Sequence, residues 1–326
     1  MNRRTMLATA LGSTLAGLLP NAVRAQGNWP DRPVRLIVPF PPAGGTDVIA
    51  RELASRLGAV TGWNLVADNR PGAGGNIGLD AVAKAPADGY TIGMGQTANL
   101  AINPALYPRM PFDPLRDFAL VSTVASQPNV LVVAKTSPFR TIAEIVKAAK
   151  AKPGGLTVAN AGSGTVGHLA GELFALRAGI EMVAVPYRGA GPVLTDLLSG
   201  RVDLFFANPL AVRGALESGD LRAVAVTSAK RMRTLPEVPT IAEAGYEGFE
   251  AINWTGLVAP ARTPAAIVAR LNEAVRKALL HEEMIARLGA EGSEPMGSTP
   301  EEFRTFLTAE YAKWGKVVRD AKVQSD

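Results

Sequence analysis

Four glycine-rich junctions hold the residues best suited to chemistry. The first is Phe40-Pro41-Pro42-Ala43-Gly44-Gly45-Thr46-Asp47, and the second is Pro71-Gly72-Ala73-Gly74-Gly75-Asn76. The third is Ala161-Gly162-Ser163-Gly164-Thr165, and the fourth is Tyr187-Arg188-Gly189-Ala190-Gly191. Each follows an apolar run and opens a run with helical spacing. A helix start offers unpaired backbone N–H groups and about half a positive charge. Glycine lets an anion approach those groups closely. Thr46, Ser163 and Thr165 add hydroxyl donors. The chemistry implied is capture of a small anion, with a carboxylate gripped at each end. As isolated features, these loops read equally well as tight turns.

The elements that must position these loops alternate along the chain. Strands are predicted at Val34–Pro39, Asn64–Ala67 and Tyr90–Gln96. They recur at Val130–Ala134, Leu156–Asn160, Met182–Pro186, Val202–Phe206, Arg222–Thr227 and Ala251–Val258. Between them, Val48, Ile49, Leu53, Leu57 and Val60 fall at helical spacing, as do Val166, Leu169, Ala170, Leu173 and Phe174. Thr141 with Glu144, and Thr299 with Glu302, form capping boxes. Thr263-Pro264 starts another helix, with proline at its first position. Such alternation implies an α/β fold of doubly wound parallel sheets, covered on both faces. The glycine loops then fall at the carboxyl ends of the strands, where such sheets bind ligands. The C-terminal segment has helices but few strands of its own, so it is expected to pack back on the first half. The division expected is a first lobe of residues 27–124 plus 252–326 and an inserted second lobe of residues 125–251. Crossings near Val121–Ala125 and Ala251–Trp254 would act as a hinge.

Other chemistries fit less well. Gly162, Gly164 and Gly167 spell the dinucleotide fingerprint, but the following strand ends in Tyr187-Arg188 where an acidic residue is needed. The first loop lacks the Lys-Ser/Thr pair of a phosphate-binding loop. An exported hydrolase or lyase would use Ser163 or Asp47 with His168 as base. Five residues across a helix start do not naturally aim the imidazole of His168 at the Ser163 hydroxyl. Several residues have a structural reading beside the functional one. Asp47 can cap its own helix. His168 lies beside Leu169 on an apolar face. Arg188 can pair with a ligand carboxylate or with Asp196 or Asp203. Trp254 can pack at the hinge.

The bulk properties narrow the classes further. The chain has 326 residues and 47% apolar content, enough for two cores. It has no cysteine and two histidines, which removes thiol chemistry and disfavours a histidine metal site. Arg3, Arg4, the apolar run Met6–Leu19 and Val23-Arg24-Ala25 read as a signal peptide cleaved after residue 25, by either the Sec or the twin-arginine route. Without the three leader arginines, the 34 basic residues fall to 31 against 29 acidic ones, a net charge of +2. The charges are interspersed, which excludes a nucleic-acid footprint.

The strings Pro39–Asp47, Asn69-Arg70-Pro71-Gly72-Ala73-Gly74-Gly75, Asp88-Gly89-Tyr90-Thr91 and Asn103-Pro104 with Tyr107 occur in this order. Gly162–Leu173, Val185–Gly189, Gly200–Asp203 and Pro236–Thr240 follow. Together they resemble the Bug family, the periplasmic solute receptors of tripartite tricarboxylate transporters. The resemblance spans nearly all of the chain beyond the leader. It implies a two-lobed periplasmic-binding-protein (Venus flytrap) fold. It also implies a non-enzymatic, cofactor-free role in which a mono- or dicarboxylate is captured for a membrane permease. A sensor that docks on a signalling partner is the weaker variant, and a monomer is expected. Carried over, Pro42, Ala43, Gly44, Gly45, Thr46 and Asp47 serve one end of the ligand. Ala161, Gly162, Ser163, Gly164 and Thr165 serve the other, with His168, Arg188 and Gly189 nearby. Gln96, Thr97, Asn208 and Trp254 fall where the lining varies and should set specificity.

Overall fold

A computed structural model describes residues 29–290 and 292–324. The leader assigned from sequence lies outside these residues. The strands are β1 (Val34–Val38), β2 (Leu65–Asn69), β3 (Thr91–Gln96), β4 (Phe118–Pro128), β5 (Val130–Ala134) and β6 (Thr157–Asn160). They continue with β7 (Val183–Pro186), β8 (Leu204–Ala207), β9 (Leu221–Val226), β10 (Ile252–Pro260) and β11 (Glu294–Pro295). The helices are α1 (Gly45–Thr61), α2 (Asn76–Ala83), α3 (Asn103–Leu106), α4 (Ile142–Ala151) and α5 (Val166–Ala178). They continue with α6 (Ala190–Leu198), α7 (Pro209–Glu217), α8 (Ala265–Leu279), α9 (Glu282–Ala290) and α10 (Pro300–Asp320). None of the described helices is long and apolar enough to cross a membrane.

The fold is α/β, with two sheets. The first has the order β11-β4-β10-β3-β1-β2, and the second β7-β6-β8-β5-β9. Both are mixed, where the sequence implied parallel sheets. In the first, β1 runs parallel to β2 and β3, while β10 runs antiparallel to β3 and β4. In the second, β6 is parallel to β7 and β8, while β5 is antiparallel to β8 and β9. The reversed strands are the ones on which the chain passes between sheets. Alternating helices specify the parallel pairs, but a strand that enters a sheet from outside it has no crossover helix to fix its direction.

The strand β4 has no counterpart among the sequence expectations. Its eleven residues mix apolar and small polar types, and nine of them are buried. The expected crossing near Val121–Ala125 lies inside it, and the chain leaves the first sheet after Pro128. The two passages are tied together at Thr227. The Asn129 amide donates to Thr227 Oγ1 at 2.8 Å, the Thr227 hydroxyl donates to Ala251 O at 2.6 Å, and the Ala251 amide donates to Thr227 O.

Alternation along β1 sends Leu36 and Val38 to one face, with Leu53, Leu57, Leu271 and Val275. Ile37 faces the other way, with Leu79, Val82 and Leu100. On the second sheet, Val130, Val132 and Phe205 share a face with Val193 and Leu197. Both predicted capping boxes form, at Thr141–Glu144 and Thr299–Glu302. Pro264 takes the N-cap position of α8 with extended backbone, one residue earlier than its expected first-turn place. The cause is the Thr263 hydroxyl, which donates to Pro260 O and holds a turn ahead of the helix. The C-terminal α10 packs on β4 and α3 and also touches α5.

Candidate functional site

Between the two sheets lies a cavity of about 330 Å³, a size that suits a small ligand. Its wall takes Phe40, Gly74, Gln96 and Asn103 from strand ends and the segments after them in the first sheet, and Ala161, Ser163–Gly167 and Asn208 from those of the second. These positions lie at or beyond the carboxyl ends of β1, β2, β3, β6 and β8. A larger groove of about 460 Å³, near Met232, Ile285 and Ser293, contains none of the residues expected from sequence.

The first glycine loop is braced by Asp47, which is 3% exposed. Its carboxylate accepts the Ala43 amide at 2.9 Å, Arg51 Nε at 2.9 and 3.0 Å, and Asn69 Nδ2 at 2.8 Å. The Asn69 amide also donates to Phe40 O at 3.0 Å. Burial acts to raise the Asp47 carboxyl pKa. The hydrogen bonds from Arg51, Asn69 and Ala43 and the charge of Arg51 outweigh it, so the carboxyl sits below the usual carboxylate range. Asp47 therefore tightens the loop from behind, and Ala43 is held at a φ of 64°. Pro42, Ala43, Gly44 and Gly45 are exposed and stand outside the cavity's lining. Thr46 acts one step removed, through its hydroxyl to Gln96 Oε1 at 3.1 Å.

The second loop is braced by neutral groups. Gly162 donates its amide to Asn160 Oδ1 at 3.1 Å, and Gly164 donates to His168 Nδ1 at 3.1 Å. Thr165 caps α5, accepting the His168 amide at 3.3 Å while its hydroxyl donates to Gly162 O at 2.8 Å. His168 is 8% exposed and faces Glu172 with Nε2 at 3.6 Å. It acts on the cavity through Gly164. Gly167 lets α5 sit against β8, since a Cβ there would stand 2.4 Å from Phe206 O.

The remaining expected residues fall in three places. Gln96 and Asn208 line the cavity. Asn208 also caps α7 and donates Nδ2 to Gln127 Oε1. Thr97 and Trp254 are fully buried behind it. The Trp254 amide donates to Thr97 Oγ1 at 2.8 Å, and its indole donates to Glu310 Oε2 at 2.8 Å. Arg188 is exposed and Gly189 caps α6 at a φ of 101°. Asp196 is held by Tyr187 and Arg201, and Asp203 by Thr157, rather than by Arg188.

Sequence reasoning missed Asn103, Tyr107, Gln127, Asn129 and Asn253 as wall residues. Antiparallel pairing explains three of them. Asn253 lies opposite Gln127 in the β10–β4 register, and Val130 lies opposite Ala207. The amino ends of β5 and β10 thereby join the carboxyl ends of the parallel strands at one rim. The carboxamides of Gln127-Pro128-Asn129, at the end of a long buried strand, were the available signal.

Comparison with known proteins agrees with this architecture. The family model described as "Tripartite tricarboxylate transporter family receptor" matches residues 49–323. A Pseudomonas protein of the UPF0065 group is 40% identical over 325 residues, covering 99% of this chain and 96% of that one. BugT of Bordetella pertussis is 39% identical over 317 residues, covering 97% of each. A Rhodopseudomonas palustris protein solved with adipate superposes with a TM-score of 0.77 at 41% identity, covering 92% of this chain and all of that one. MatC from the same organism, with bound malate, gives 0.72 at 32% identity, covering 89% and all. The chain belongs to the tripartite tricarboxylate transporter receptor family, TctC, whose members are solute-binding receptors.

Proposed function

We propose that the protein is a periplasmic receptor that encloses a small carboxylate between two lobes and delivers it to a membrane partner. The observation that carries this reading is the meeting of turns from both sheets around one cavity. Val166 and Gly167, in the first turn of α5, are part of the wall, and a helix start favours an anion. Relatives solved with adipate and malate support the carboxylate class. The lobes proposed are built on the two sheets, with the boundary at Asn129 and at the segment joining Thr227 to Ala251. Their motion about these strands would open and close the cavity. The loops 42–47 and 161–165 are proposed to reach the ligand on closure, the first of them through Gln96 and Thr46.

Binding without bond cleavage is the reading favoured here. His168 Nδ1 is engaged by the Gly164 amide, and Asp47 is held by Arg51 and Asn69, so neither has the free lone pair that a general base needs. Isothermal titration of the purified protein against mono- and dicarboxylates of two to eight carbons tests the proposal. A micromolar or tighter complex with at least one acid is expected. A folded protein that binds no acid in the series would overturn it.

A further inference from the structure

We infer that Glu310 is a positioning residue for ligand capture, holding from behind both a wall strand and one of the two passages between the sheets. This deepens the receptor reading above and rests on it. Glu310, Lys313 and Trp314 stand three and four residues apart on α10 and so share one face of that helix. Glu310 is 4% exposed. Its Oε2 accepts the Trp254 indole at 2.8 Å and the Trp314 indole at 2.9 Å, and its Oε1 pairs with Lys313 Nζ. Taking a carboxylate out of water is costly, and a well-packed apolar side chain often holds a core together as well or better. A buried carboxylate with fixed partners can instead set one geometry among several.

Two routes lead from Glu310 to the ligand apparatus. The first runs through Trp254 on β10. Neighbouring residues of a strand point to opposite faces, so the indole enters the core while Asn253 joins the cavity wall. Phe303 and Phe306 of α10 stand against the Trp254 ring, with centroids at 5.9 and 5.2 Å. The Trp254 amide donates to Thr97 Oγ1, and Thr97 directly follows the wall residue Gln96. The carboxylate thus fixes the rotation and depth of β10 where Asn253 and Gln96 meet the cavity. The second route runs through Lys313, whose Nζ also donates to Glu250 O at 3.1 Å. Glu250 precedes Ala251, whose amide donates to Thr227 O in the tie between the two passages. The Glu310 charge and the Trp314 ring, whose centroid is 4.8 Å from Nζ, hold Lys313 against this carbonyl. A carboxamide at position 310 could still accept the indoles but would not attract the ammonium, so this route requires the charge. A loosened passage lets the lobes leave the arrangement that fits the ligand, and apparent affinity falls with the competent fraction.

Amide hydrogen exchange of the full protein, read by mass spectrometry, tests the clamp without a ligand. Glu310→Gln and Lys313→Met should each speed exchange in residues 250–255 about 10-fold, while β1 keeps its wild-type rate. Lys313→Met carries the test if Glu310→Gln does not fold. Lys313→Arg, which restores the charge and the donors, should return the segment most of the way to the wild-type rate. An unchanged rate at 250–255 would overturn the inference, and so would an equal rise in β1, which is what a general loss of stability gives. Titration calorimetry against mono- and dicarboxylates of two to eight carbons reads the function. The tightest acid should bind Glu310→Gln and Lys313→Met about 10-fold more weakly, and Lys313→Arg nearly as well as wild type. Phe306→Leu trims a ring against Trp254 but leaves the carboxylate and the ammonium in place, so it should keep its affinity despite a lower melting temperature. Wild-type affinity in Glu310→Gln and Lys313→Met, or an equal loss in Phe306→Leu, would reduce Glu310 to a core residue and leave the receptor intact. Failure of the unaltered protein to bind any acid would overturn the receptor reading itself.

Discussion

The two glycine loops differ in what braces them. Behind the loop at residues 40–47 stands a charge, with the Asp47 carboxylate collecting a backbone amide, a guanidinium and a carboxamide. Behind the loop at residues 161–167 stand neutral acceptors, namely Asn160, Thr165 and the His168 imidazole. The difference follows from distance to the cavity. A carboxylate close to a bound anion would repel it, and the second loop forms the wall directly, so neutral bracing suits it. Residues 42–47 stand back from the wall, and there Arg51 compensates the Asp47 charge. A buried charge is tolerated where its partners neutralise it and where the ligand does not approach.

Substitutions separate the two kinds of brace. Asp47→Ala should have the largest effect, about 3 kcal/mol of lost stability, because it leaves the Ala43 amide and Asn69 without their acceptor. Half exposure of Arg51 keeps the loss at the lower end of what a broken buried pair costs. Asp47→Asn gives the pH signature in chemical denaturation. The folded-state pKa of Asp47 is depressed, so its contribution is present above about pH 4 and is lost as pH falls through the lower folded-state value. Wild type and Asp47→Asn should therefore differ at neutral pH and converge in acid. A constant gap between them would show that the charge does not act as a brace.

Gly167→Ala should cost about 2 kcal/mol in the same assay, since the new methyl meets Phe206 O and must push α5 away from β8. It should also weaken ligand binding, because the α5 turn moves with the helix. Wild-type affinity in a destabilised Gly167→Ala protein would separate the helix start from the ligand. The smallest effect is expected for His168→Ala, about 1 kcal/mol. It releases the Gly164 amide, and a several-fold loss of ligand affinity read by titration is expected. An unchanged affinity would reduce His168 to a packing residue and remove the contrast between the loops.

Particular residues show how much was legible beforehand. Short apolar runs between turn residues located nine strands; most of these are buried, though β2 and β7 are not. Hydroxyl and acid three apart located both capping boxes, because that interaction is local. Gln96 and Asn208 came from the family resemblance alone, whereas Ser163 and Thr165 were accessible as wall residues from the glycine turn that carries them. Asn129 and Asn253 were not, because they reach the rim only through antiparallel pairing with strands far away in sequence.

By itself the sequence determined the α/β class, the glycine turns and the helix starts behind them, all of which depend on neighbours a few residues apart. The tertiary structure alone decided which turns form the wall, that Thr46 acts through Gln96, and that His168 holds a loop amide. Those outcomes depend on register between β10 and β3 and between β5 and β8. Register is fixed by how two buried faces fit together, a long-range condition that no local pattern encodes.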